Sequence, residues 1–67
     1  MTLKVNGQPL EVPDGTTVLQ LVERHKLTPE RVAVELNRRL IRGPQYETVL
    51  TDGDEVEIVT FVGGGGA

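Results

Sequence analysis

Cysteine is absent from this 67-residue chain, so neither a disulfide framework nor a thiolate metal site can brace it. Tryptophan is also absent, and Tyr46 and Phe61 are the whole aromatic complement. That removes the stacking platforms on which single-stranded nucleic acid is bound. Basic residues are outnumbered, 7 Lys+Arg against 10 Asp+Glu for a net charge of −3, so the clustered positive surface needed for a phosphate backbone is missing. Nucleic acid is therefore not an expected partner. Apolar runs stop after two or three residues, far short of the roughly 20 that span a bilayer. The start, Met1-Thr2-Leu3-Lys4-Val5, lacks the apolar stretch of a secretory signal. No membrane partner is expected, and the cytoplasm is the expected compartment. A chain this short buries only about 60% of the surface its unfolded form exposes, so without staples it must rest on a well-patterned core.

What is there is strongly patterned. Leu3 and Val5 alternate with Thr2, Lys4 and Asn6, the period of a half-buried strand. Asn6-Gly7 is a type I′ hairpin signal, since both residues tolerate positive φ. Leu10 and Val12 continue the alternation beyond Pro9, so residues 2–13 are expected to form a hairpin. Pro13-Asp14-Gly15 then turns the chain. Thr17 and Gln20 have capping-box spacing, and Val18, Leu21 and Val22 make one apolar face, predicting a helix over 17–26. It must end before Thr28-Pro29, because the residue before proline disfavours the α region. Thr28 and Pro29 suit the start of one short turn through Arg31.

Val32, Val34 and Leu36 predict a third strand, Leu40-Ile41-Arg42 a short fourth, and Glu55 to Val62 the last. Residues 45–50, with Tyr46, Val49 and Leu50, are expected to drop apolar side chains under the sheet. The order ββαβββ with one main helix is α+β. Its compact solution is a β-grasp, a mixed sheet wrapped on that helix, with the outer strands of the sequence paired in parallel at its centre. The expected core is Leu3, Val5, Leu10, Val12, Val18, Leu21, Val22, Val32, Val34, Leu36, Leu50, Val56 and Ile58. Residues 1–62 form the expected domain, and 63–67 a flexible glycine-rich tail.

Four of the eight glycines are Gly63-Gly64-Gly65-Gly66, followed by Ala67. Gly-rich chain is a flexible coil, and a linker has this composition too. A second reading is chemical. An arm without side chains enters tunnels where a Cβ would clash, and five extended residues reach roughly 16 Å. Its carboxylate can be activated in a partner's ATP site and carry an acyl group.

In the last strand, Val56 and Ile58 have one parity and Val59 and Phe61 the other. A strand apolar on both sides is central and covered twice, yet a single helix covers one face. Either Phe61 folds back over residues 45–50, or Phe61 and Val59 form a docking patch.

Other candidates carry less. His25 has no second ligand nearby and reads as a helix-end residue. Asp52-Gly53-Asp54 lacks the spaced ligands of a calcium loop and reads as a turn. Arg38, Arg39 and Arg42 read as a solvated basic cluster. The acids Asp52, Asp54, Glu55 and Glu57 are placed to steer a basic partner. No nucleophile–base set is present, so no catalytic side chain and no metal site are expected.

Val5-Asn6-Gly7, Val32-Ala33-Val34-Glu35-Leu36-Asn37, Asp52-Gly53-Asp54-Glu55-Val56-Glu57-Ile58-Val59 and Phe61-Val62-Gly63-Gly64-Gly65 together resemble the ThiS family, the bacterial sulfur carriers for the thiazole ring of thiamine. The resemblance runs through essentially the whole chain, with Tyr46 in the connection before the last strand. It implies a ubiquitin-like β-grasp protein, a monomer on its own, with no bound cofactor and no catalysis of its own. Its C-terminal glycine carboxylate would be adenylated with ATP by an enzyme related to the ubiquitin-activating enzymes. A sulfur donor protein would then convert it to a thiocarboxylate that supplies thiazole synthase. Gly66, alternatively Gly65, would carry the sulfur, with Gly63, Gly64, Gly65 and Gly66 entering the partners. Family tails end in glycine, whereas this chain continues to Ala67. Sibling carriers for molybdopterin or tRNA thiolation share the tail chemistry, and a β-grasp interaction module with inert glycines is the alternative from another class.

Overall fold

The computed structural model describes residues 1–61. Five strands form one sheet: β1 (Thr2–Val5), β2 (Gln8–Glu11), β3 (Val32–Leu36), β4 (Arg39–Ile41) and β5 (Glu55–Thr60). Their order is β2-β1-β5-β3-β4. β1 and β5 run parallel at the centre, and every other pairing is antiparallel. The helix α1 (Val18–Arg24) covers one face, and short 3-10 turns occupy Pro29–Arg31 and Gly43–Glu47. This is the expected α+β arrangement, a β-grasp.

Local chemistry explains the elements. Asn6 (φ 50°) and Gly7 (φ 82°) make the first hairpin turn, with left-handed torsions that asparagine and glycine accept at low cost. Asn37 (φ 52°) and Arg38 (φ 70°) repeat that geometry between β3 and β4. At the start of α1, the Thr17 hydroxyl accepts from the Gln20 N–H at 3.1 Å while Gln20 Oε1 accepts from the Thr17 N–H at 2.9 Å. The capping box is complete.

The helix stops at Arg24, two residues before the expected end. Lys26 takes a left-handed φ of 61°, and the N–H groups of Lys26 and Leu27 donate back to the carbonyls of Glu23 and Val22 at 2.8 and 3.2 Å. This is a Schellman ending with lysine in the glycine position, and Leu27 packs against the core behind it. The helix therefore closes on its own backbone before Pro29 exerts any effect. β5 ends at Thr60 rather than at Val62, which lies outside the described residues. β4 begins at Arg39, not Leu40, because the two-residue turn brings Arg39 opposite Leu36.

The core holds eleven of the thirteen expected side chains, from Leu3 to Ile58. Leu10 and Leu36 are only half-buried at its margin, one on edge strand β2 and the other beside the last turn of β3. Ile41 and Tyr46 join the core instead. The turn at 43–47 is held by Gln45, whose side-chain oxygen accepts from the Arg42 N–H at 2.9 Å. It swings Tyr46 inward, where burial raises its phenol pKa. Leu50 follows it inward, but Val49 points out, 55% exposed, because an isolated bridge to Thr17 fixes its orientation.

Asp52-Gly53-Asp54 is a turn, and it also binds the sheet together. Asp54 accepts from Asn37 Nδ2 at 3.0 Å and from the Thr51 N–H at 2.8 Å. Asn37 Oδ1 in turn accepts from the Glu55 N–H at 2.9 Å. Desolvation pushes the Asp54 carboxyl up, but hydrogen bonds from Asn37 and from the Thr51 backbone and hydroxyl outweigh it and hold the carboxyl below its ordinary range.

Two predictions follow from this packing. Leu21 is wholly buried, and Leu21→Ala should cost about 2–5 kcal/mol in urea unfolding. The depressed Asp54 pKa makes its contribution complete above the unfolded value of about 3.9, with loss as pH falls through the folded value. Thermal melts from neutral pH down to about pH 2 should thus show parent and Asp54→Asn converging in acid, with the parent ahead at neutrality.

Candidate functional site

Strand alternation divides β5 cleanly. Val56 and Ile58 face the helix, while Glu55, Glu57 and Val59 face the other way, and Phe61 continues that parity beyond the strand. The outer face has no covering element among the described residues. Across it, Val59 stands opposite Ala33, and Glu57 opposite Glu35. Glu35 in turn stands opposite Leu40 on β4. The Phe61 N–H donates to the Arg31 carbonyl at 2.8 Å, extending the β3–β5 ladder to the last described residue.

Val59 is 57% exposed and Phe61 56%, so both expected docking residues are on the surface. Phe61 borders a shallow groove of ≈ 300 Å³ together with Pro29, Arg42 and Tyr46. It approaches the 43–47 turn without being covered by it. Leu40, 57% exposed, belongs to the same outer face and escaped the sequence reading. Leu40 and Ile41 are adjacent and both apolar, so alternation requires one to point outward, but only the register with β3 decides which. Here Ile41 faces inward opposite Val34.

The remaining candidates resolve structurally. His25 is exposed at the end of α1, with Nδ1 2.9 Å from the Leu21 carbonyl. Arg38, Arg39 and Arg42 are all exposed along β4 and its turn. Among the described residues no group of three or more His, Asp or Glu side chains is placed to hold a metal ion. No helix of the described residues is long and apolar enough to cross a membrane. The tail residues Gly63, Gly64, Gly65 and Gly66, with Gly66 or Gly65 as attachment point, lie outside the described residues, as does Ala67.

A mixed five-stranded sheet in the order β2-β1-β5-β3-β4 on one helix places the chain among the ubiquitin-like β-grasp proteins. The ThiS family model matches residues 3–65. The sulfur carrier protein ThiS of Bacillus subtilis is 38% identical, over 94% of this chain and 98% of that protein. A thiazole synthase of Magnetococcus marinus is 39% identical over 97% of this chain, which spans only 20% of that protein's length. The crystal structure of a thiamine biosynthesis protein, ThiS, from Geobacter metallireducens superposes with a TM-score of 0.79 at 36% identity, covering 97% of this chain and all of that one. The chain belongs to the ThiS family.

Proposed function

We propose that this protein is a sulfur carrier for thiamine thiazole assembly and that its reactive group is its own C-terminal carboxylate. The observation that carries the reading is the family match, which runs without a break from the β-grasp domain through Gly65. The sulfur carrier of Bacillus subtilis aligns with nearly its whole length.

The chemistry needs no side chain of the carrier. In an adenylating partner related to the ubiquitin-activating enzymes, a carboxylate oxygen attacks the α-phosphorus of ATP and pyrophosphate leaves. Charge on the transferring phosphoryl group is stabilised by the partner's site. Sulfur at the sulfide level, delivered by a donor protein, then attacks the acyl carbon and expels AMP, leaving a thiocarboxylate. Thiazole synthase is the proposed acceptor. Supporting it, the matching segment in Magnetococcus marinus is part of a chain named thiazole synthase, and a second such protein occurs in Paramagnetospirillum magneticum.

In this reading Phe61 and Val59 dock against partners while the glycines 63–66 enter them. Phe61→Ala should leave the melting temperature close to the parent's. Its affinity for the adenylating enzyme of the same organism should fall by about tenfold or more, roughly 1.4 kcal/mol. An unfolded variant, or undiminished binding, would make Phe61 a core or bystander residue.

We assign sulfur to Gly66, alternatively Gly65, since a chain ending at Ala67 would set a methyl group beside the reacting carboxylate. A chain ending at Gly66 should therefore be loaded much faster than one ending at Ala67. Mass spectrometry after incubation with the adenylating enzyme, ATP and a sulfur donor reads this as a product about 16 Da heavier, one oxygen exchanged for sulfur. Rapid loading of the chain ending in Ala67 would remove the glycine requirement, and no loading of either would favour an inert interaction module.

A further inference from the structure

One contact on the outer face of the sheet works against folding. Glu35 stands directly opposite Glu57, and both are exposed. Facing side chains at such positions are about 5 Å apart at Cβ, and like charges there destabilise the pairing. Among the described residues the ion pairs are those of the Met1 ammonium with Glu11 and Asp14. No basic side chain among the described residues is ion-paired with either glutamate.

Along β5 the pair has Glu55 on one side, at the same parity, and apolar side chains on the other. Leu40 lies on the other side of Glu35, and Val59 and then Phe61 follow Glu57 on the same face. Leu40, Val59 and Phe61 are each more than half exposed. A face of this kind has a defined complement. It selects a surface that fills an apolar contact and at the same time places a cation between two carboxylates, where a guanidinium makes charge-assisted hydrogen bonds to both. A second copy of this chain is the wrong occupant, because a two-fold contact through this face would bring four glutamates together. Anionic lipid is repelled for the same reason.

We propose that this outer face is the docking surface for thiazole synthase, which meets Phe61, Val59 and Leu40 with an apolar pocket and Glu35 and Glu57 with an arginine or lysine. The proposal rests on the carrier reading above and adds to it the acidic pair, Leu40, and the chemistry of the partner's contact. The repulsion between Glu35 and Glu57 in the free protein becomes attraction to one shared cation in the complex, so the pair opposes folding while favouring binding.

That opposition supplies the test. Glu35→Gln, Glu57→Gln and the double variant are compared with the parent, and with Glu23→Gln on the exposed side of α1 as a control of equal charge change. Melting temperature, affinity for the thiazole synthase of the same organism, and thiocarboxylate loading are measured on each. The Glu35 and Glu57 variants should melt at or above the parent temperature, since repulsion is relieved. Their affinity should fall about five- to tenfold at low salt, mainly through slower association. The difference should shrink near about 0.5 M salt, where exposed charges are screened. Glu23→Gln should bind as the parent does. Unchanged affinity in the double variant, or an equal loss in Glu23→Gln, overturns the acidic docking contact. If the parent is still loaded with sulfur and still binds the synthase, the carrier reading stands without it. A parent that is neither loaded nor bound overturns both.

Discussion

The parallel pairing of β1 with β5 is the contact on which the rest of the sheet depends. It is short: only Lys4 with Glu55 and Val5 with Val56 are in strand register. Backbone bonds from Lys4 to Asp54 and from Asn6 to Val56, at 2.9 and 2.8 Å, secure it. Asn6 then lengthens it with its side chain. Its Oδ1 accepts from the Ile58 N–H at 2.7 Å and its Nδ2 donates to the Ile58 carbonyl at 3.2 Å. The amide thus does for Ile58 what a further strand residue would do. Without it, the Ile58 backbone groups on that side would need water or go unpaired, and an unpaired buried backbone group costs about as much as a lost hydrogen bond. One residue therefore turns the first hairpin and holds the last strand.

Much of this was legible in the sequence because the chain is locally consistent. Alternation marked four strand cores, Thr17 with Gln20 marked the helix start, and Asn6-Gly7 marked the turn. These are signals between near neighbours. What the sequence did not disclose depends on partners far along the chain. Asn6 reads as a turn residue, and nothing near it announces a partner 52 residues away. The Schellman ending was hidden because Lys26 stands where glycine is customary. Tyr46 and Ile41 entered the core through the 43–47 turn and the β3–β4 register, neither of which a periodicity count resolves. On the outer face, Val59 and Phe61 were visible by parity within one strand. Leu40 and the Glu35–Glu57 pair exist as features only once β3, β4 and β5 lie side by side.

The openness of that face follows from the layering. One seven-residue helix covers one side of the five-stranded sheet, and among the described residues no element lies over the other. An uncovered face in such a protein would ordinarily be polar throughout, as on one-sided antiparallel sheets. Here it is polar at Lys4, Glu55, Glu57 and Glu35 and apolar at Ala33, Leu40, Val59 and Phe61. The transition runs along β5 toward its C-terminal end. Apolar surface left in that position is a cost in solubility, and a contact that covers it in a complex is a physical reason for its presence.

The support given to β5 changes along the same direction. From Glu55 to Ile58 the strand is held on both sides, by β3 and by β1 with the Asn6 amide. Val59 and Thr60 pair with β3 alone, and Phe61 adds a single backbone bond to Arg31. The strand is thus anchored deep in the core at Val56 and Ile58, then hands over to a stretch fixed from one side. The proposed carrier function would set two mechanical requirements: a domain that survives being gripped and an end that reaches into a partner. Placing the double anchor from Glu55 through Ile58 and the single one after it would meet both within one strand. A force applied at the chain's end meets the β3 contacts at Phe61, Thr60 and Val59 before it reaches the central pairing. Those outer contacts lie beside the face proposed for docking, so a partner bound there would reinforce the half of β5 that the fold leaves less supported.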